Sequence, residues 1–506
     1  MGLMYNTRNG WALVALSMAS SFVFAELVMV STILSAIQVH LNANYIQLQW
    51  ILNIYILVTA VFMITMGRFG DVFGNRVMAL LGMAGFGLSS FFAGLSNNPE
   101  WMIIARAFQG FFGALIIPCS LALVNNLFPD DQKGKVIGIW NALAMLGIAL
   151  APLIATVLHK FADWRWIFFI NIPLMLVCMI ITVFSLREEP IVHEKTPIDW
   201  WGFVFLTIGA SCVVIAVTQG FIWGWASPST LILLVSGVIA IFLWIVTEMT
   251  ENSPIINFGW FANKTFASCI FIAIISTSAG VVLLFLVPLY LHNILEISYI
   301  RVGLYLFALT FPTVLFSPLA GYLTDKWGHR LPIIIGSLFF IISTFMITQF
   351  SRATAHWFLV VTFLIFGMSW GLIMGPVKVG VLNSLPHRKS GVGIGALLSF
   401  EHLGATIFLA IMGTVFRHSE VLFLDDGLRS AGIDMTKSRA AMIQNLLAHP
   451  LKVQQNIQNM SVELQEKIIP LFKASFLHGF HTTFLSVLAF AFLAFLMFLF
   501  IKQKQH

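Results

Sequence analysis

The chain has 506 residues and a formal net charge of +6; 59% of its residues are hydrophobic and only 9% are charged, against about 25% charged in an ordinary soluble protein. So little charge excludes a soluble globular chain of this length. The positive balance is read as membrane topology rather than as a nucleic-acid surface, and the chain as an all-α membrane protein.

Near the N-terminus the only early charge is Arg8. The apolar run behind it is too long for the core of a cleavable signal, so the first span is expected to stay in the mature chain. Apolar segments of the ~20 residues that cross a bilayer then follow in order. Six are read at 12–38, 46–66, 77–96, 101–127, 136–158 and 166–186, and two at 202–222 and 230–248. A final six lie at 266–291, 302–323, 332–350, 356–383, 391–416 and 476–501. Polar clusters separate them, among them FPDDQKGK, REEPIVHEKTPID and LPHRKS. The four cysteines, Cys119, Cys178, Cys212 and Cys269, all fall within apolar segments and are read as buried thiols, with neither disulfide nor metal-ligand spacing.

Basic residues orient these spans. With the N-terminus inside, the inner loops hold Arg8, Arg68, Arg76, Lys133, Lys135, Arg187, Lys195, Lys264, Lys326, Arg330, Arg388, Lys389, Lys502 and Lys504. The short outer loops hold only Lys160, Arg165, Arg301 and Arg352. A positive-inside bias of this size expects both termini in the cytoplasm.

Two decapeptides share one pattern: GRFGDVFGNR, Gly67 to Arg76, and GYLTDKWGHR, Gly321 to Arg330, 254 residues apart (321 minus 67). The first joins spans 2 and 3 and the second joins spans 10 and 11. Equivalent loops of two six-helix halves have six spans between them, whereas eight lie here. The expected organisation is therefore 6+2+6: a first bundle over 1–190, an inserted pair over 191–262 and a second bundle over 263–506. Internal repeats of this kind mark transporters, in which one half rocks against the other about a midplane site. Glycines at the loop ends (Gly67, Gly74, Gly321, Gly328) suit a tight turn. Asp71 and Asp325 stand where an acid pairs with a base or caps a helix, and with Arg76 and Arg330 they are expected to latch the two halves when the cytoplasmic side is closed.

These loops resemble the signature of the major facilitator superfamily, and the chain resembles its 14-span drug:proton antiporter branch. In the first copy Val72 and Asn75 replace two basic residues of the signature; in the second, Lys326, His329 and Arg330 keep a basic pattern. IIARAFQGFFGA is similar to the span 4 signature, with Arg106, Gln109, Gly110, Gly113 and Ala114 matching. LGIALAPLIAT resembles the antiporter signature of span 5: Gly147 and Pro152 match, while Ala151, Ala155 and Thr156 replace glycines and still permit close helix packing. DWRWIFFINIPL, IDWWGF and SPLAGYLTDKWG also resemble the branch. The resemblance implies a transporter rather than an enzyme, without cofactor or metal, in a bacterial cytoplasmic (inner) membrane. Its implied ligands are protons and small amphipathic molecules, and some members of the branch add a periplasmic adaptor and an outer-membrane channel.

Charges inside the membrane each need a reason, since insertion costs ~2.5–3.5 kcal/mol at the helix centre. Glu26, Arg106, Glu401 and His402 stand out, and Lys378 lies near enough to a helix end to snorkel. The branch carries an aspartate later in span 1, where this chain has Val30; Glu26 precedes it by one turn and shares its face. Two readings stand for Glu26: a relocated proton carrier, or an acid permanently paired with a buried base such as Arg106. Burial favours a neutral carboxyl and a nearby cation the charged one, so a site alternating between such surroundings binds and releases a proton. For Glu401–His402 the readings are a second titrating site and a hydrogen-bonded contact between helices.

Residues 418–475 are more polar and are expected to form a long extracytoplasmic loop with short surface helices, with start signals at Thr436 and Ser461. The leading functional reading is export of amphipathic compounds in exchange for protons. The rival is an exporter or facilitator of one metabolite, such as a siderophore. An ATP-driven pump is disfavoured because the chain has no Gly-x-x-x-x-Gly-Lys-[Ser/Thr] loop.

Overall fold

The computed structural model describes residues 7–128, 133–186, 200–250, 258–385, 390–430 and 462–501. The helices are α1 (Thr7–Thr32), α2 (Leu34–Leu41), α3 (Tyr45–Phe73), α4 (Asn75–Gly94), α5 (Pro99–Leu127), α6 (Lys133–Phe161), α7 (Trp166–Phe169) and α8 (Asn171–Ser185). They continue with α9 (Trp200–Trp223), α10 (Pro228–Thr250), α11 (Lys264–Asn293), α12 (Tyr299–Trp327), α13 (Arg330–Ile347), α14 (His356–Asn383), α15 (Ser390–Ser430) and α16 (Val462–Leu496). Short 3-10 turns lie at Phe258–Ala262 and Met497–Phe500. Fourteen stretches are long and apolar enough to cross a membrane, as expected, and no strand occurs among the described residues. With an even number of crossings, Thr7 and Ile501 share one face, the terminal face.

The first span is two helices rather than one. Ser31 and Thr32 both donate their hydroxyls to the Val28 carbonyl, at 2.9 and 2.7 Å, and side-chain back-bonding of this kind bends a helix. The chain leaves helical geometry at Ile33 and restarts at Leu34.

Spans 2–4 and 10–12 repeat each other at the level of single contacts. A Cβ on Gly82 of α4 would press on Ile116 and Leu115 of α5, and one on Gly336 of α13 would press on Ile373 and Leu372 of α14. Gly110 backs onto the Tyr55 carbonyl, and Gly367 onto the Leu309 carbonyl. The two decapeptide turns also match: each helix pair reverses at a glycine in the left-handed region, Gly74 (φ 94°) and Gly328 (φ 80°), which an L side chain adopts only with strain. The first glycines of the decapeptides differ from expectation. Gly67 and Gly321 lie inside α3 and α12, and open space surrounds the position of a Cβ on Gly321. Helix carries through most of each repeat, and the turn is confined to Gly74 in the first copy and to Gly328 and His329 in the second.

The inserted pair, α9 and α10, packs where the halves meet. One apolar cluster joins Leu57, Ala60 and Val61 of α3, Leu206, Ala210 and Val214 of α9, Trp244 of α10, and Ala396, Leu403 and Ala410 of α15.

The long polar loop is shorter than the 418–475 expected. α15 continues to Ser430 and α16 begins at Val462, so α15 alone has 41 residues and measures about 60 Å. Apolar residues persist on one side of the extension: Leu424 and Leu428 are buried, and Gly427 meets Leu471 of α16. On the other side Asp425 and Arg429 form an i,i+4 pair at 2.7 Å. Composition alone obscured an amphipathic helix. The start signal at Ser461 immediately precedes α16; the segment from Thr436 lies outside the described residues.

Candidate functional site

Five helices of the first bundle converge on Glu26 and Arg106. Both side chains are fully buried, and Arg106 Nη1 donates to Glu26 Oε1 at 3.2 Å. The same nitrogen donates to Gln109 Oε1 at 2.6 Å, one turn along α5, while Arg106 Nε donates to the Ile51 carbonyl of α3 at 3.2 Å. The guanidinium lies 4.1 Å from the ring centre of Tyr55, whose hydroxyl donates to the Val23 carbonyl of α1 at 2.6 Å. The other carboxylate oxygen, Glu26 Oε2, accepts from Asn171 Nδ2 of α8 at 2.8 Å. Ser90 of α4 closes the circuit by accepting from Gln109 Nε2 at 2.8 Å and from Asn171 Nδ2 at 3.3 Å.

The local sequence explains the convergence. Gly110 brings α5 against the Tyr55 carbonyl, and Thr59 donates to the Gly110 carbonyl at 3.1 Å. That close approach lets a long arginine lie across α3 instead of reaching for water. Taking two charges out of water is expensive, and only good geometry with extra hydrogen bonds offsets it. Glu26 has both oxygens engaged; Arg106 Nη2 and Asn171 Oδ1 are buried without a partner among the described residues.

The corresponding positions of the second bundle are apolar. Adding 257, the spacing of Gly110 and Gly367, takes Arg106 to Phe363 and Gln109 to Phe366, both buried, Phe363 edge-on to Phe350 and Phe366 edge-on to Phe340. The charge network belongs to one half alone.

Glu401 and His402 therefore do not join it. Glu401 is buried on α15 with Oε1 unpartnered among the described residues. His402 Nδ1 lies 2.8 Å from the Leu398 carbonyl of its own helix, an intrahelical contact rather than the interhelical one considered from sequence.

Gly147 and Pro152 sit at the two interfaces of α6. A side chain at Gly147 would collide with Ser21 of α1. On either side of Pro152, Ala151 and Ala155 are fully buried, and Thr156 faces Gly303 of α12. The small residue missing from α6 at Thr156 is thus supplied by the partner helix. Nearby, Thr310 of α12 donates to the Ala149 carbonyl at 3.1 Å.

At the other seam Tyr45 of α3 stacks on Phe416 of α15, 5.2 Å between ring centres, and Gln49 donates to the Leu409 carbonyl at 2.9 Å. The described hydrogen bonds between the halves all lie at mid-depth or toward the face opposite the termini, which is where the molecule is closed.

The latch is expected only when the terminal face is closed, and the described residues do not test it. Asp325 is exposed and makes no ion pair with the described residues; the side chain of Asp71 lies outside them. The arginines instead hold their own half. Arg76 donates to the Val183 carbonyl of α8 at 3.1 Å, and Arg330 lies 5.7 Å from the ring centre of Phe498 beyond α16.

Sequence reasoning did not single out Tyr55, Ser90 or Asn171. Asn171 had a readable signal, an amide within the apolar stretch FFINIPL. It also missed the buried ion pair between Arg417 and Glu420, at 2.8 Å, because residues from 418 on were assigned to a loop.

Comparison with known proteins bears on this arrangement. The family model described as Major Facilitator Superfamily matches residues 14–409. The tetracenomycin C resistance and export protein of Streptomyces glaucescens is 28% identical over 389 residues, covering 75% of this chain and 71% of its own. The multidrug resistance protein Stp of Mycobacterium tuberculosis is 26% identical over 404 residues, 80% and 75% of the two chains. The riboflavin transporter RibZ of Clostridioides difficile is 26% identical over 376 residues, 74% and 81%. Among solved structures, a bacterial homolog of the human lysosomal transporter Spinster, inward-facing, superposes with a TM-score of 0.65 at 15% identity, covering 98% and 99% of the chains.

Proposed function

This chain belongs to the Major Facilitator Superfamily, and from that premise we propose that it exports amphipathic small molecules in exchange for protons. The observation that carries the reading is the Glu26–Arg106 pair, a fully buried acid and base at 3.2 Å inside the first bundle. A proton arriving at Glu26 cancels its attraction for Arg106 and leaves the guanidinium with too few acceptors, so protonation and the packing of α1 against α5 are coupled. Alternating access supplies the rest: the proton is taken from one side and given up on the other. On the positive-inside orientation the terminal face is cytoplasmic, in a bacterial inner membrane, and the closed face is outside. A paired, charged Glu26 is what an inward-open exporter holds after releasing its proton. Glu401, with one oxygen unpartnered, is proposed as a second acid, beside His402.

Export of drug-like molecules is supported by what the relatives are named for, tetracenomycin C export and multidrug resistance. A second reading, movement of one metabolite without proton coupling, is favoured by the riboflavin transporter among them.

Proteoliposomes with an imposed pH gradient separate the two. Dye efflux and internal pH are followed together for the wild type, Glu26→Gln and Glu401→Gln. Loss of substrate-linked proton flux in Glu26→Gln supports exchange through Glu26. Wild-type transport by both variants, with no proton movement in any of the three, replaces exchange by facilitated passage.

A further inference from the structure

Asn171 is the first residue of α8 and is fully buried. An asparagine at a helix start ordinarily turns its side chain onto nearby backbone. This amide reaches two other helices instead: Nδ2 donates to Glu26 Oε2 of α1 at 2.8 Å and to Ser90 Oγ of α4 at 3.3 Å. Its other end is idle. Asn171 Oδ1 is buried and accepts no hydrogen bond from the described residues, and an unpaired buried carbonyl is costly.

The donor end faces Glu26 because a carboxylate offers only lone pairs. A protonated carboxyl carries an O–H and needs an acceptor, and the neighbouring groups are already engaged. Arg106, the cation facing Glu26 from α5, is a donor at 3.2 Å. Gln109 Oε1 accepts from Arg106 at 2.6 Å. The hydroxyl of Tyr55, on α3, donates to the Val23 carbonyl at 2.6 Å, and that of Ser90 donates to the Phe86 carbonyl at 2.7 Å. The idle oxygen of Asn171 is the acceptor in reserve. Half a turn about the last side-chain bond, a soft torsion, exchanges Oδ1 for Nδ2 and leaves the backbone where it is. Oδ1 then faces Glu26 Oε2 across the spacing that Nδ2 now spans, and the rotatable Ser90 hydroxyl follows the exchange.

We propose that Asn171 is a two-position amide that matches Glu26 in both of its proton states, donating to the carboxylate and, turned over, accepting from the acid. Asn171 is a positioning residue: it gains and loses no proton, and the proton stays on Glu26 Oε2. The inference rests on the proton exchange proposed for Glu26. It adds how a carboxyl held by a buried arginine takes up a proton without burying an unpaired O–H.

Difference infrared spectroscopy of the full chain in lipid vesicles, acid minus alkaline, tests the switch, with asparagine carrying carbon-13 at the side-chain carbonyl. The Asn171 band is the one lost in Asn171→Leu; where leucine does not fold, Asn171→Thr makes the same assignment. A carbonyl that begins to accept a hydrogen bond absorbs at lower frequency. Acidification should therefore shift the Asn171 band down in the wild type and leave it unmoved in Glu26→Gln. The protonated Glu26 band, identified by its loss in Glu26→Gln, should move to higher frequency in Asn171→Leu, where its O–H has lost the acceptor. An Asn171 band that stays fixed while the Glu26 carboxyl titrates overturns the switch and leaves proton exchange standing. No titrating Glu26 band overturns both. An Asn171 shift that persists in Glu26→Gln also overturns the switch, because the amide then answers another group. Thermal unfolding of each variant separates a lost contact from a lost fold.

Discussion

Glu26 and Arg106, eighty residues apart in sequence, meet at 3.2 Å with no exposure to solvent on either side. Breaking a buried pair by removing one partner costs about 3–5 kcal/mol, since the other charge is left without compensation. Glu26→Gln and Arg106→Gln should each lower the unfolding temperature markedly. The double variant should be more stable than the sum of the two losses predicts. Additive losses in this double-mutant cycle would mean that the two residues act independently.

Gly74 and Gly328 hold the only decapeptide positions with positive φ. Alanine at either should destabilise by roughly 1–2 kcal/mol, the usual penalty for an L-residue in that region. Gly321→Ala is the control, since nothing lies within 4 Å of its Cβ position. Equal melting temperatures for all three variants would show that the turns tolerate another geometry.

Gly303 is where α12 touches α6. Valine there should clash with Thr156 and hold the closed face apart, raising the labelling of a cysteine placed near Tyr299 by a membrane-impermeant thiol reagent. Thr156→Gly should restore closure. Labelling that stays at the wild-type level in Gly303→Val would remove this contact from the closure.

His329, between the second and third spans of the second bundle, is buried against Gly380. Burial lowers its pKa below the ordinary value. The unfolded chain therefore binds the proton first as pH falls, and stability contributed by neutral His329 is lost below about pH 6.5. In detergent the melting temperature should drop between pH 7 and 5, and His329→Gln should flatten that slope. A slope identical in the variant assigns the effect to other groups.

How much of this was legible beforehand depended on the kind of signal. The fourteen crossings could be read because each must be apolar for its whole length. The repeat could be read because Gly74 and Gly328 answer the same steric demand in both halves. Glu26 and Arg106 were visible as isolated charges, and their pairing was one of two open readings. Asn171 and Ser90 were not singled out, since a neutral polar residue in a span gives no sign of which helix it will face. Thr156 is the instructive case: judged within α6 it looks like a departure, but its complement, Gly303, lies on a different helix. The helical extension after Phe416 was misjudged because polar content was taken for loop, whereas the spacing of Leu424 and Leu428 held the answer.

The inserted pair gives the molecule a property that neither bundle has alone. Its cluster touches α3 in one half and α15 in the other, so the pair rests on the two parts that turn against each other in the proposed cycle. At that junction the contacts include four alanines, Ala60, Ala210, Ala396 and Ala410, and Thr414 of α15 donates to the Val217 carbonyl of α9 at 3.0 Å. Small, smooth side chains let surfaces slide past one another with little rise in energy, as a bearing does. On the proposed cycle, a thicker or stiffer membrane is expected to drag on α9 and α10 and slow the turning without touching Glu26 or Arg106.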